Sequence, residues 1–289
     1  MKAAVQEFFD PATSTLTYVA FDANSRDAVV IDPVWDYEPA SSTLSKESSD
    51  RLIHYIRQNE LKLHFILETH AHADHVSGAQ ILKAAFPNTK VAIGTLIQEV
   101  QQTFKKIYHF EKEFPTDGRQ FDLLLEDGST LKAGTLSIKT ISTPGHTPAC
   151  ASYLIGDALF TGDALFMPDS GVGRCDFPAG SAKQLYDSIH GKLYQLPDST
   201  RVFVGHDYQP GGRSLQFQST IGTQKKSNIQ LRAETTKEEF VEFRTKRDAT
   251  LSAPRLLLPS LQININAGHL FPPESDGKVY LKIPLSIKN

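Results

Sequence analysis

Two cysteines, Cys150 and Cys175, are all that a chain of 289 residues offers for cross-linking. That is too few for a disulfide framework, and in a reducing compartment both stay as thiols. Neither belongs to a Cys-x-x-Cys pair. Long apolar runs are missing as well: none approaches the length of a membrane span, and the N-terminus, Met1-Lys2-Ala3-Ala4-Val5-Gln6-Glu7, turns polar too soon for a signal peptide. The expectation is a cytoplasmic protein with no membrane partner. Positive charge is not in excess either, with 30 Lys and Arg against 33 Asp and Glu and a net charge of -3. No basic field is available to hold a polyphosphate backbone, which argues against nucleic acid as a partner and leaves a small molecule.

What is there is ordinary globular material, 40% hydrophobic and 22% charged, enough for a packed core. Alternating apolar residues predict an N-terminal β-meander over Ala3 to Phe9, Thr15 to Phe21 and Ala28 to Ile31. Trp35 to Ser49 reads as a surface loop before a helix at Asp50 to Gln58. Leu61 to Thr69 suits a buried strand, and Val76, Ala79, Leu82 and Phe86 recur at helical spacing until Pro87. Further strands are expected at Phe121 to Leu125, Leu136 to Ile141, Ala151 to Ile155, Ala158 to Thr161 and Arg201 to Val204. Ser181 offers a helix N-cap, and Thr236 with Glu239 forms a capping-box pattern. From Pro254 onward, prolines 254, 259, 272, 273 and 284 predict an extended tail over 254–289, packed on one catalytic domain spanning 1–253.

The chemistry lies in Thr69-His70-Ala71-His72-Ala73-Asp74-His75, which follows an apolar strand and precedes a helix. Three of the chain's ten histidines stand in that string. The same placement recurs in Pro144-Gly145-His146, Thr161-Gly162-Asp163 and Val204-Gly205-His206, where an apolar strand ends, a glycine permits a sharp turn, and a ligating side chain follows at once. Strands of one layered structure release their loops along a shared edge, so the four segments can meet. Five imidazoles and two carboxylates in one cleft are satisfied jointly by a divalent cation. His54, His64, His109, His190 and His269 lack this placement and read as surface or core residues.

His-x-His-x-Asp-His with the later His146, Asp163 and His206 resembles the metallo-β-lactamase superfamily from about Val5 to His206. The resemblance implies an α/β fold, a single-domain αββα sandwich with its metal at one edge of the two sheets. Gly145-His146-Thr147-Pro148-Ala149-Cys150, Gly173-Arg174-Cys175-Asp176-Phe177 and Gly205-His206-Asp207-Tyr208 are similar to the persulfide dioxygenases related to the human ethylmalonic encephalopathy protein. That branch oxidises glutathione persulfide with O₂ and water to sulfite and glutathione, using one Fe(II) per chain. It implies His70, His146 and Asp163 as metal ligands and catalytic residues, a two-histidine, one-carboxylate face with open positions. His72, Asp74, His75 and His206 become supporting or second-metal groups. Tyr208 and Lys225 are candidates to hold the tripeptide, although Lys225 with Lys226 reads more readily as a solvated pair, while Arg174 either meets a glutathione carboxylate or pairs with Asp176. Cys150 reads as a buried thiol rather than a reactant. The resemblance also allows a homo-oligomer and a separate sulfurtransferase partner. The alternative is a glyoxalase II-like hydrolase of glutathione thioesters with two zinc ions, because every ligand for a second metal is present.

Overall fold

The meander forms as expected in the computed structural model, which describes residues 2–287, so Met1 and the last two residues of the expected tail, Lys288 and Asn289, lie outside it. Strands β1 (Ala4–Asp10), β2 (Thr15–Phe21) and β3 (Asp27–Ile31) run antiparallel. The stretch from Trp35 to Ser49 is not the expected loop. It holds a hairpin of β4 (Val34–Glu38) and β5 (Thr43–Ser45), with Pro39, Ser41 and Ser42 in the turn. Helix α1 (Glu47–Gln58) starts earlier than the sequence suggests because its cap is not local: the Asp36 carboxylate on β4 accepts from the Ser48 backbone at 2.9 Å.

Strand β6 (Lys62–Leu67) leads into the histidine-rich loop, which ends in the short β7 (Val76–Ser77) and helix α2 (Ala79–Ala85). Strand β8 (Lys90–Gly94) and helix α3 (Ile97–Ile107), beyond the elements expected from the sequence, then precede β9 (Leu123–Leu125). The first sheet has the order β1-β2-β3-β6-β8-β9, with β6, β8 and β9 parallel to β3. A second sheet of six strands runs β10 (Thr130–Ala133), β11 (Leu136–Ser142), β12 (Ala151–Ile155), β13 (Ala158–Phe160), β14 (Arg201–Phe203) and β15 (Gln218–Thr220), with only β13 and β14 parallel. Helix α4 (Ala182–Gly191) intervenes before β14, and α5 (Ile221–Ser227), α6 (Lys237–Asp248) and α7 (Leu257–Asn264) follow β15. Ser181 caps α4 and Thr236 with Glu239 forms the expected capping box on α6.

Period-two alternation sorts the side chains of the first sheet between two cores. Leu16, Tyr18, Val29 and Ile31 face the second sheet, where Tyr18 packs against Phe160 and Phe203 at centroid distances of 5.4 and 5.5 Å. Val19, Ala28 and Val30 face outward and bury Leu52 and Ile56 of α1, Leu82 of α2 and Val100 and Phe104 of α3. Leu185 and Ile189 of α4 and Phe240 of α6 cover the other sheet. The result is the αββα sandwich.

The C-terminal region departs from the extended reading. Residues 257–264 form α7, and Pro259 does not prevent it because it sits in the first turn, where the backbone N–H has no helical acceptor to lose. Leu261 and Ile265 join the outer core, and Asn264 reaches the metal loop: its amide nitrogen donates to the carbonyls of His72 and His75, each at 2.8 Å, and its oxygen accepts from Ser77 N at 2.8 Å. A boundary at 253 therefore separates a helix from the loop that it pins.

Candidate metal centre

Each strand-end loop delivers its ligand through a backbone conformation that the sequence makes available. Gly162, between β13 and Asp163, has φ +48, and a Cβ there would overlap Thr69 Oγ1 in the neighbouring loop. Gly145, before His146, has φ +143, and a Cβ there would overlap the Leu185 backbone of α4. Only glycine combines those dihedrals with such close approach. Gly205 N donates to Gly162 O at 3.2 Å, which ties the His206 loop to the Asp163 loop.

The loops converge as the sequence implies. His70, His146 and Asp163 are buried, and one ligand atom from each lies within 4.8 Å of the other two. His146 Nε2 stands 3.4 Å from Asp163 Oδ2, and His206 Nε2 stands 3.3 Å from both Asp163 Oδ1 and Asp74 Oδ2. His72, Asp74 and His75 form a second such group beside the first.

The rings are held in the form that a metal requires. His146 Nδ1–H donates to the Arg174 carbonyl at 2.6 Å and His206 Nδ1–H to the Ser14 carbonyl at 3.2 Å. The Thr69 hydroxyl gives its proton to Asp32 Oδ2 at 2.8 Å and so accepts from His70 Nδ1 at 3.0 Å. In all three the Nε2 lone pair is left free. Burial, followed by the adjacent imidazoles of His72 and His146, pushes the His70 pKa well below the usual imidazole range, which keeps it neutral. Nε2 of His70, Nδ1 of His72, Nε2 of His75 and Oδ1 of Asp163 are buried and have no hydrogen-bond partner among the described residues. Buried polar atoms are rarely left so; a cation bound by His70, His146 and Asp163 would satisfy His70 Nε2 and Asp163 Oδ1, while His72 and His75 belong to the second group.

Two carboxylates behind the site went unnoticed in the sequence. Asp32 Oδ1 lies 3.0 Å from His72 Nε2 and also accepts from Thr69 N at 2.7 Å, while Glu68 Oε2 lies 3.4 Å from the same ring nitrogen. The signal was available for Asp32, which follows the β3 strand directly, as Asp163 follows β13 after Thr161 and Gly162. Nothing in the string marks Glu68 as turned inward.

A cleft of about 340 Å³ opens over the metal group, lined by Asp74, His146, Asp163, Arg174 and Tyr208 together with Tyr37, Glu38 and Arg255 from outside the motifs. Tyr208 is 55% exposed and its ring stacks on His206 at 5.6 Å. Below it Asp207, fully buried, is gripped by the Arg213 guanidinium at 2.7 Å, which fixes the loop. Arg174 is in the wall, but its guanidinium makes two 2.6 Å bonds to Asp176 and a 2.7 Å bond to the Ser252 carbonyl. Lys225 is not brought to the cleft: it lies on α5 and pairs with Asp198 at 2.7 Å. His64 pairs with Asp27 and His190 stacks on Tyr186, both away from the metal group.

Cys150 is buried, its sulfur within 3.1 Å of Thr147 Oγ1, and burial pushes its thiol up to about 12; burial raises Cys175 as well. Thiolate is the reactive form. Native protein at pH 8 is therefore expected to show no iodoacetamide adduct by intact mass, and two adducts once unfolded; rapid labelling of native Cys150 would contradict its packing role.

Residues 11–206 match the family model described as the metallo-beta-lactamase superfamily. The chain is 48% identical to glyoxylase B2 of Dictyostelium discoideum, over 99% of its own length and 98% of that protein's. It is 34% identical to the human mitochondrial persulfide dioxygenase ETHE1, over 71% of its length and 68% of that protein's. The crystal structure of ETHE1 from Myxococcus xanthus aligns with a TM-score of 0.73 and 30% identity, covering 92% of this chain and 100% of that one. No helix among the described residues is long and apolar enough to cross a membrane.

Proposed function

Because the chain belongs to the metallo-β-lactamase superfamily, we propose that its metal centre is a mononuclear iron site that oxidises glutathione persulfide with O₂ and water to sulfite and glutathione. The observation that carries this reading is the compact trio itself. His70, His146 and Asp163 come within 4.8 Å without His72, whose Nε2 is turned toward Asp32 at 3.0 Å. Two imidazoles and one carboxylate are the ligand face of non-haem iron oxygenases, and the likeness to the human persulfide dioxygenase points the same way.

Fe(II) held by this trio would supply open coordination positions at which a persulfide sulfur and O₂ are brought together. The chain's residues do the rest. The Arg174 carbonyl and the Thr69 hydroxyl fix the tautomers of His146 and His70. Asp74, a carboxylate in the cleft wall, is placed to accept a hydrogen bond from the water that is consumed. The Tyr208 phenol stands at the mouth to orient the peptide. Both oxygen atoms of O₂ end on the outer sulfur, so no organic redox cofactor enters the balance.

A second reading, a glutathione thioesterase with two zinc ions, draws on the His72, Asp74 and His75 group and on the likeness to glyoxylase B2. The test is to load metal-free protein with Fe(II) under argon, or with Zn(II), and follow O₂ with an electrode. Iron-loaded protein is expected to consume one O₂ per glutathione persulfide and release sulfite, with the zinc form inert. Zinc-loaded protein that cleaves S-lactoylglutathione, beside an iron form that consumes no O₂, would put the hydrolase in its place.

A further inference from the structure

We propose that Glu38 and Arg255 form the receptor for the zwitterionic γ-glutamyl end of a glutathione-type substrate. The proposal rests on the reading of the substrate as a glutathione derivative, and it assigns a role to two residues that the motifs do not contain.

Both side chains line the cleft that holds His146 and Asp163. Arg255 Nη2 stands 3.5 Å from Glu38 Oε1, and the two side chains are 70% and 57% exposed, so the pair is loose and open to a ligand. The other lining cation, Arg174, is already turned to Asp176 and the Ser252 carbonyl. Lys225 is elsewhere. Arg255 is therefore the guanidinium in this cleft with donors to spare, and its planar fork suits a carboxylate.

The choice between the two carboxylates of glutathione follows from charge. Glu38 stands 3.5 Å from Arg255, so a lone glycine carboxylate beside Arg255 would also face Glu38. An α-amino-acid end carries ammonium and carboxylate on one carbon, and so matches a paired acid and base: carboxylate to Arg255, ammonium to Glu38. The acid is already aimed, since Glu38 Oε1 accepts from Ala40 N at 3.0 Å at the end of β4. Arg255 stands just ahead of α7, the helix that pins the His72 and His75 carbonyls through Asn264. Strand β4 in turn pairs with β7 at the end of the metal loop, Val34 with Ser77 and Trp35 with Val76, so both halves of the receptor belong to elements tied to that loop.

Calorimetry on metal-loaded protein with three thiols separates the possibilities. Glutathione and γ-glutamylcysteine are expected to bind within about threefold of each other, and cysteinylglycine about tenfold more weakly, on the scale of one charge-assisted hydrogen bond. Arg255→Ala should weaken the first two about tenfold and leave cysteinylglycine unchanged, with metal content intact, and Arg255→Lys should recover part of the loss. Glu38→Gln should weaken the same two. If Arg255→Ala weakens cysteinylglycine as much as glutathione, Arg255 holds the glycine carboxylate and the proposal falls. It falls also if none of the three responds, or if wild-type protein does not bind glutathione. The expected binding pattern in a protein that oxidises no persulfide would leave this receptor standing and remove only the proposed reaction.

Discussion

Asp163→Ala is expected to leave a folded chain that retains no metal above background and turns over more than roughly a hundredfold more slowly. The scale is set by comparison: losing an outer hydrogen-bond partner of a metal ligand costs roughly 10–100-fold in affinity or activity, and Asp163 is proposed as a ligand itself. Its Oδ2 faces His146 at 3.4 Å and its Oδ1 faces His206 at 3.3 Å, with Oδ1 otherwise unpartnered. Truncation removes the one carboxylate of the trio and leaves two imidazoles. The fold should survive, because the loop is held by its backbone: Ala164 N donates to Thr161 O at 3.1 Å and Gly205 N to Gly162 O at 3.2 Å. The readouts are metal per chain by elemental analysis and melting temperature with and without metal. Wild-type protein should be stabilised by metal through mass action and the variant should not. A metal-bearing, active variant would remove Asp163 from the ligand set.

Gly162→Ala is expected to cost about 3 kcal/mol or more in unfolding free energy and to weaken metal binding, although it changes no ligand. Two effects add. An L-residue at φ +48 costs roughly 1–2 kcal/mol. The new methyl would overlap Thr69 Oγ1 and lie 2.7 Å from Thr69 Cβ, and overpacking of a buried contact costs roughly 1–3 kcal/mol. Relief requires the Asp163 loop and the His70 loop to part, and that lengthens the distances within the trio. Denaturant unfolding of metal-free protein isolates the first consequence, and competition with a chelator isolates the second. Gly128 offers the comparison: it also has positive φ, +75, but open space around its Cβ position, so Gly128→Ala should cost only the backbone part and leave metal affinity unchanged. Equal effects at both glycines would mean that the loop contact is unimportant.

The metal group was legible because its rule is local: an apolar strand ends, glycine turns, and a ligand follows. His146, Asp163 and His206 each obey it, His70 follows its strand through Glu68-Thr69 without a glycine, and the structure brings all four together. The meander, β11 to β14, and the capped helices α4 and α6 were legible for the same reason. What was missed depends on partners distant in sequence. Helix α1 starts early because Asp36 on another strand caps it. Helix α7 forms despite Pro259, and Asn264 at its end finds carbonyls 192 and 189 residues away. Of the two roles that the sequence leaves Lys225, peptide holder or solvated surface residue, the structure shows the second, with Asp198 as its partner. Arg255 and Glu38 could not be read as neighbours, since only the packing of α7 against the metal loop places Pro254 to Leu256 along one wall of the cleft.

The proposed chemistry requires one ion shared by His70, His146 and Asp163. Anomalous diffraction from crystals of iron-loaded protein, collected on either side of the iron edge, tests it most directly. The expected result is one strong peak per chain within bonding distance of His70 Nε2, His146 Nε2 and an Asp163 carboxylate oxygen. A map with no peak among those three atoms, or with its strongest peak bound elsewhere on the chain, would contradict the account.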